Sequence, residues 1–133
     1  MDDIGQEVRR RAAGRCEYCH LPEAHVLTPF QLEHVIAKQH GGRNTLGNRA
    51  YSCLRCNLHK GPNLTGIDPK TRKLTRLFNP RRHRWARHFR WEGALLVGRT
   101  AVGRTTVEVL AMNDPDRVAL RQELLEQGLL SPE

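Results

Sequence analysis

The sequence predicts an α+β protein of 133 residues, with a small mixed core, an N-terminal helix and a helical C-terminal extension. Three observations lead to this class. Two CxxC pairs, Cys16–Cys19 and Cys53–Cys56, are separated by the 33 residues from 20 to 52 and would close the core on one point. Residues 30–36 begin with the apolar–polar alternation of a strand. The last third of the chain carries helix start and stop signals.

The N-terminal helix is predicted over residues 3–13. Ile4, Val8 and Ala12 recur at every fourth position and form one apolar face. Gly14 is typical of the residue that follows a helix. This helix leads directly into the first cysteine pair.

The segment between the cysteine pairs is predicted to fold back on itself. A strand over 30–36 and a short extended piece at 50–52 flank a polar loop that contains a Gly-Gly break. If the two pairs meet, this segment forms a hairpin. A helix over about 54–60 emerges from the second pair and packs across that hairpin.

The chain is divided into a core, residues 1–64, and a basic extension, residues 65–133, that packs on it as a single compact unit. In the extension, residues 62–75 are predicted to be irregular and a short strand is predicted at 95–97. Two helices follow. Thr100 caps the first, over about 101–112, and Asp114-Pro115 begins the second, over about 115–127.

Charge and composition narrow the classes of function. The chain has 22 Lys and Arg against 14 Asp and Glu, a net charge of +8 that suits a polyanionic partner such as nucleic acid. The longest apolar run, residues 93–98, is far shorter than the roughly 18 residues of a membrane span. The acidic N-terminus is not followed by the apolar region of a signal peptide. We therefore expect a cytoplasmic protein with no membrane partner.

The four cysteines predict a structural zinc site. Each CxxC turn aims two thiolates at one point, and two such turns complete a tetrahedral Zn²⁺ site. Disulfides are the alternative, but no export signal supports them, and a redox CxxC would occur once. A closed four-cysteine site has no open coordination position, so this metal would support the fold and take no part in chemistry.

A second group of residues predicts hydrolytic chemistry. The folded-back segment places Glu33 and His34, on the strand, near Asn57 and His59, at the start of the following helix. Carboxylate and amide oxygens suit magnesium or manganese, which would stabilise charge on a phosphodiester. An imidazole that does not bind the metal can act as a general base near neutral pH.

The order and spacing of these residues resemble the HNH endonucleases. The resemblance spans about residues 9–64 and implies the ββα-metal fold, in the branch stapled by two CxxC pairs. The stretch from Gly66 to Arg104 is also similar to the C-terminal part of a group of small HNH proteins. The motifs that carry the core resemblance are the two CxxC pairs, Leu32-Glu33-His34-Val35-Ile36, His40-Gly41-Gly42, Asn48 and Asn57-Leu58-His59-Lys60-Gly61.

The resemblance implies metal-dependent hydrolysis of DNA phosphodiester bonds and gives each matching residue a role. His34 takes a proton from the attacking water, and Glu33 and Asn57 hold one divalent metal. Asn48 orients the base and holds the loop. Many family members carry histidine where this chain has Asn57. The substitution shifts the ligand set towards oxygen and favours magnesium or manganese.

Further residues are predicted to contact the DNA. Residues 79–92 combine arginines with Trp85, Phe89 and Trp91. If this segment is helical, Arg82, Trp85 and Phe89 form one stripe; we expect the aromatic side chains in the core and the arginines on the duplex backbone. The predicted contacts are His40, His59, Lys60, Arg81, Arg82, Arg84 and Arg87.

The alternative function is a non-catalytic zinc-knuckle module that binds nucleic acid. Such a module needs the cysteines and arginines but not Glu33, His34 and Asn57, and the spacing of these three favours the nuclease. The sequence leaves the target, the choice of DNA or RNA, and nicking or double-strand cleavage open. It also leaves the oligomeric state open, with a dimer as one route to cutting both strands and a partner protein as one source of specificity.

Overall fold

A computed structural model describes residues 3–132, and the fold is mixed α+β, as predicted. Its strands form three two-stranded antiparallel sheets within this range. None of its helices is long and apolar enough to cross a membrane. The elements are α1 (Asp3–Arg11), β1 (Gln31–His34), β2 (Arg49–Ser52), α2 (Leu54–Lys60), β3 (Thr65–Ile67), β4 (Leu74–Arg76), α3 (Trp85–His88), β5 (Phe89–Glu92), β6 (Leu95–Gly98), α4 (Ala101–Val109) and α5 (Pro115–Glu126).

The segment between the cysteine pairs folds back as the sequence predicts. Strands β1 and β2 pair antiparallel, with Glu33 opposite Ala50 and His34 opposite Arg49. Helix α2 begins directly after Cys53 and contacts β1. The two strands and this helix form a ββα unit.

Helix α1 ends two residues earlier than predicted. Ala13 and Gly14 both have positive φ angles, 55° and 72°, which the right-handed helix does not allow. Val8 is fully buried on the predicted apolar face. The helix therefore packs as expected, and only its end differs.

Residues 62–75, which were predicted to be irregular, contain the hairpin β3–β4. Its turn is organised by Asp68, whose carboxylate accepts hydrogen bonds from the Lys70 N–H at 3.1 Å and the Thr71 hydroxyl at 2.9 Å. Arg104 of α4 donates two further bonds to Asp68, from Nε at 3.0 Å and Nη2 at 2.9 Å. Gly66 lies so close to Thr105 of α4 that a Cβ would not fit. The hairpin is thus fixed on α4.

The aromatic segment is not one helix. Helix α3 spans four residues, and Phe89 already belongs to β5, so a helical stripe of Arg82, Trp85 and Phe89 does not form. The aromatic rings still meet: the Trp85 centroid lies 5.2 Å from that of Phe89 and 6.0 Å from that of Trp91. Phe89 is buried in the core and the two tryptophans pack partly buried against it, which confirms the expected packing.

The two C-terminal helices match their predicted positions closely. The Thr100 hydroxyl accepts a hydrogen bond from the Gly103 N–H at 3.1 Å, so Thr100 is the predicted cap of α4. Asp114 precedes α5 but its side chain caps no N–H of that helix. Instead its carboxylate accepts a hydrogen bond from Arg55 of α2 at 3.2 Å.

One hydrophobic core runs through both parts of the chain. Tyr18 and Tyr51 from the first part and Phe78, Leu96 and Met112 from the second belong to the same buried cluster. Polar contacts also connect the core, residues 1–64, with the extension, residues 65–133. The Trp85 indole N–H donates to the Tyr18 carbonyl at 2.7 Å.

Candidate active site and metal centre

The four cysteines Cys16, Cys19, Cys53 and Cys56 form a buried cluster whose sulfur atoms all lie within 4.8 Å of one another. All four are free thiols. A zinc tetrahedron with Zn–S bonds of about 2.3 Å has sulfur–sulfur edges of about 3.8 Å. The Cys19 and Cys53 sulfurs lie 3.7 Å apart, close to that edge. The donor set and its spacing therefore fit zinc.

Backbone N–H groups of the CxxC turns point at the sulfur atoms. The Tyr18 N–H donates to Cys16 Sγ at 3.4 Å, and the Cys56 N–H donates to Cys53 Sγ at 3.4 Å. Hydrogen bonds from the other three cysteines lower the pKa of Cys19 well below its usual value, whereas burial raises the pKa of Cys16 and of Cys56. These donors favour the thiolate form, which is the form that binds zinc.

Arg117 of α5 also contacts the cysteine cluster, and the sequence did not single it out. It is only 6% exposed, and its Nη2 lies 3.0 Å from Cys56 Sγ and 3.8 Å from Cys53 Sγ. Its Nη1 donates to the Leu110 carbonyl at 2.6 Å. Four thiolates around Zn²⁺ carry a net charge of −2, which a guanidinium partly offsets. The spacing of Arg117, Arg121 and Leu124 could have indicated this position, because it places the two arginines on the same helix face as a leucine.

Glu33 lies inside the domain. Successive side chains of a strand point to opposite faces, so Glu33 of β1 points inward and His34 outward. Glu33 is 6% exposed, and its Oε1 has no hydrogen bond partner among residues 3–132. Burial raises the pKa of Glu33 to about 7, although the charge of Lys60 opposes that rise. A buried carboxylate oxygen without a partner fits the role of a ligand to a cation.

Lys60 does not lie where the sequence led us to expect. It was predicted to contact DNA, but it is 2% exposed and its ammonium donates to the Val35 carbonyl at 3.0 Å. The contact ties the last residue of α2 to the residue after His34. Lys60 is therefore a structural cation beside Glu33, and the prediction that it contacts DNA is wrong.

His34 is half-buried, and its ring is held by Asn44. The Nε2 of His34 and the Asn44 carboxamide oxygen form a hydrogen bond. Because that oxygen can only accept, Nε2 carries the proton in this arrangement. In the neutral imidazole, the lone pair is then on Nδ1. Asn44 was not among the predicted site residues, and the sequence placed it only in a polar loop.

Asn48 closes the loop that carries Asn44. Its Oδ1 accepts a hydrogen bond from the Ile36 N–H at 2.8 Å, and its Nδ2 donates to the carbonyls of Ile36 and Arg43, both at 2.9 Å. Three bonds from one buried amide therefore join the two ends of the loop. The loop in turn presents Asn44 to His34.

Asn57 lies on α2, one residue after Cys56, and is half-buried. Within the described part of the chain its side chain makes no hydrogen bond, so its amide is free to bind a ligand. The structure brings α2 against β1 but shows no bond between Asn57 and Glu33 or His34. His40 and His59 are exposed.

The predicted DNA-contacting arginines divide into two groups. Arg81 is mostly buried, and its Nη2 lies 2.6 Å from the Glu17 carboxylate. It is therefore bound within the protein and does not present its guanidinium to DNA, in contrast to the prediction. Arg82, Arg84 and Arg87 are exposed and form no ion pair with any described residue.

Comparison with known protein families gives a match over part of the chain. Residues 16–63 match the family model described as HNH endonuclease. The matched segment contains the four cysteines, β1, β2 and α2. No curated protein and no solved structure was found to match the chain.

Proposed function

We propose, from the HNH match over residues 16–63, that this protein is a metal-dependent HNH endonuclease that hydrolyses phosphodiester bonds in DNA. The observation that supports this function best is the hydrogen bond between His34 and Asn44, because it orients an imidazole that can serve as a general base. The net charge of +8 suits a polyanionic substrate such as DNA. Duplex DNA as the substrate and the cytoplasm as the setting are part of this proposal.

His34 acts as the general base in this proposal. With Nε2 donating to Asn44, the Nδ1 lone pair takes the proton from the attacking water. Asn48 positions the base indirectly, since its three hydrogen bonds hold the loop that carries Asn44. A base held by a second polar group is the general arrangement that activates a nucleophile.

Glu33 and Asn57 would hold the catalytic metal. The unpartnered Glu33 oxygen and the Asn57 amide are hard oxygen ligands of the kind that magnesium and manganese prefer. When bound, such an ion stabilises the charge that develops on the phosphodiester and the departing oxygen. Burial raises the pKa of Glu33 to about 7, and the neighbouring Lys60 charge opposes that rise and favours the ionised form. The zinc-fitting cluster is closed by four cysteines, so it supports the fold only.

The proposal is tested by relaxation of supercoiled plasmid with added magnesium, manganese or zinc, or with EDTA. We expect nicking that requires added metal and falls by about 10²–10⁴-fold in His34→Ala, because the general base is lost. His25→Ala is the matched control, since His25 is an exposed histidine in a different loop and should leave nicking unchanged.

A defined result of the same experiment would contradict the proposed nuclease. A wild-type protein that holds zinc and binds DNA, yet cuts neither duplex DNA, single-stranded DNA nor RNA with any of these metals, contradicts the proposed nuclease. The alternative of a non-catalytic zinc-knuckle module that binds nucleic acid would then hold.

A further inference from the structure

A cleft of about 230 Å³ opens at the end of β1, directly beyond the proposed base. Val35 and Ile36, the two residues that follow His34, line this cleft. Arg76, the last residue of β4, and Arg82 line it as well. We call this feature the arginine cleft.

The arginine cleft is cationic. No Asp or Glu of the described chain lines it, whereas the cleft beside the cysteines contains Asp116. Arg76 and Arg82 are exposed and form no ion pair within residues 3–132. Burial first, and then the charges of Arg76 and Arg82, lower the pKa of His83, so both guanidinium groups act on one imidazole. Two guanidinium groups without an ion pair in the described chain thus line one cleft.

Hydrogen bonds hold the backbone between Arg76 and Arg82 in place. Phe78 is buried, and its N–H donates to the Thr106 hydroxyl of α4 at 2.8 Å. The next N–H, of Asn79, donates to Nδ1 of His83 at 2.9 Å. The backbone that connects the two arginines is therefore held at both of these positions, and the arginines are presented from a fixed base.

We propose that the arginine cleft binds backbone phosphates of the DNA strand next to the bond that is cut. The inference rests on the proposed function, since it takes DNA as the substrate and His34 as the base beside the cleft. A guanidinium binds phosphate oxygens through two parallel N–H donors, and Arg76 and Arg82 supply two such groups. Arg82 was predicted from the sequence to contact DNA, and the structure adds Arg76 as its partner.

The test measures binding without cleavage. A fluorescein-labelled duplex is titrated with His34→Ala protein at several salt concentrations, without added divalent metal, and its anisotropy is followed. Each phosphate contact contributes about 0.9 to the slope of log Kd against log salt. Adding Arg76→Ala and Arg82→Ala should therefore lower that slope by about 1.8.

A matched control removes the same charge elsewhere. Arg9 and Arg90 are exposed and lie near carboxylates of Glu23 and Glu92, outside the arginine cleft. Arg9→Ala with Arg90→Ala should leave the slope unchanged, and Arg76→Lys with Arg82→Lys should largely restore it because the charges return. Zinc content and circular dichroism establish that each variant is folded.

The outcomes separate this inference from the proposed function. A slope that falls only in the Arg76/Arg82 alanine variant supports the arginine cleft, even if the wild-type protein cuts no plasmid. An unchanged slope, an equal fall in the control variant, or a protein that binds no DNA overturns it. If the plasmid is cut and the slope is unchanged, the nuclease stands and the cleft assignment fails alone.

Discussion

Arg117 and Lys60 are buried cations that reach from one element to a group on another. Lys60 donates from the end of α2 to the Val35 carbonyl, and Arg117 donates from α5 to Cys56. Removing either charge while keeping the burial would leave these acceptors without their donor, at a cost of about 1–3 kcal/mol for each unsatisfied group. At the scale of single residues, each cation lies next to a proposed metal site without being a ligand: Lys60 is beside Glu33, and Arg117 is beside the cysteines.

Replacing Arg117 with Met should weaken zinc retention. The change keeps a long side chain but removes the donor to two of the cysteines. Loss of such an outer contact typically costs about 10–100-fold in metal affinity. The measurement is zinc transfer to a chromogenic chelator. Arg121→Met is the control, because Arg121 is equally buried but donates to Ala94 and Asn113 instead; equal zinc loss in both variants would contradict the specific role of Arg117.

Sequence spacing predicted the cysteine cluster but not the residues that surround it. The four cysteines come together because two CxxC turns carry their own geometry. Asn44 and Arg117 act through contacts between distant segments, and no local pattern marks them. From the sequence, Lys60 is expected to be an ordinary exposed lysine, because only the packing of α2 on β1 buries it. The sequence also placed Glu33, His34 and Asn57 near one another, and their shared role in catalysis stays a prediction.

At the scale of elements, the β3–β4 hairpin depends on one ion pair to α4. Arg104 and two donors within the turn all bind Asp68, whose carboxylate is buried. Local caps and periodicity in the sequence predicted the helices. This hairpin was not predicted because each of its strands has three residues, too few for an alternation to be recognised.

The Asp68 pair predicts a specific acid response. The hydrogen bond from Arg104, chiefly, holds the pKa of Asp68 well below its usual range. A carboxyl whose pKa is lower in the folded state stabilises the fold above its unfolded pKa of about 3.9, and that contribution is lost as the pH falls further. Asp68→Asn should therefore have a lower free energy of unfolding than wild type at pH 7. Its free energy of unfolding should also fall less than that of wild type when the pH is lowered below about 4.

Urea unfolding at a series of pH values tests this expectation. Glu108→Gln is a suitable control, because Glu108 is an exposed carboxyl on the same helix α4 as Arg104. Parallel stability curves for wild type and Asp68→Asn across the acid range would refute a stabilising role for the ionised pair.

At the scale of the whole molecule, both parts of the chain share one core. The buried cluster joins residues before and after position 64, and Arg55 of α2 is bonded to Asp114 before α5. The division at residue 64 is therefore a sequence boundary across which packing continues. The prediction of a single compact unit can be tested through its unfolding.

Removing zinc should unfold the protein as one unit. Binding of structural zinc supplies about 10–16 kcal/mol in small domains, which matches or exceeds the roughly 5–15 kcal/mol stability of a whole domain. We expect a strong zinc chelator to abolish the cooperative thermal transition in calorimetry, and added zinc to restore it. Survival of a separate transition in zinc-free protein would show that the extension folds independently of the core.

The contact between Arg117 and the cysteines also has a consequence for biosynthesis. The last cysteine, Cys56, is synthesised 61 residues before Arg117. At about 5–20 residues per second, this interval lasts roughly 3–12 s. During that time the nascent chain carries all four thiols but not the helix that covers them. Zinc can therefore reach the four cysteines before α5 has been synthesised and covers them.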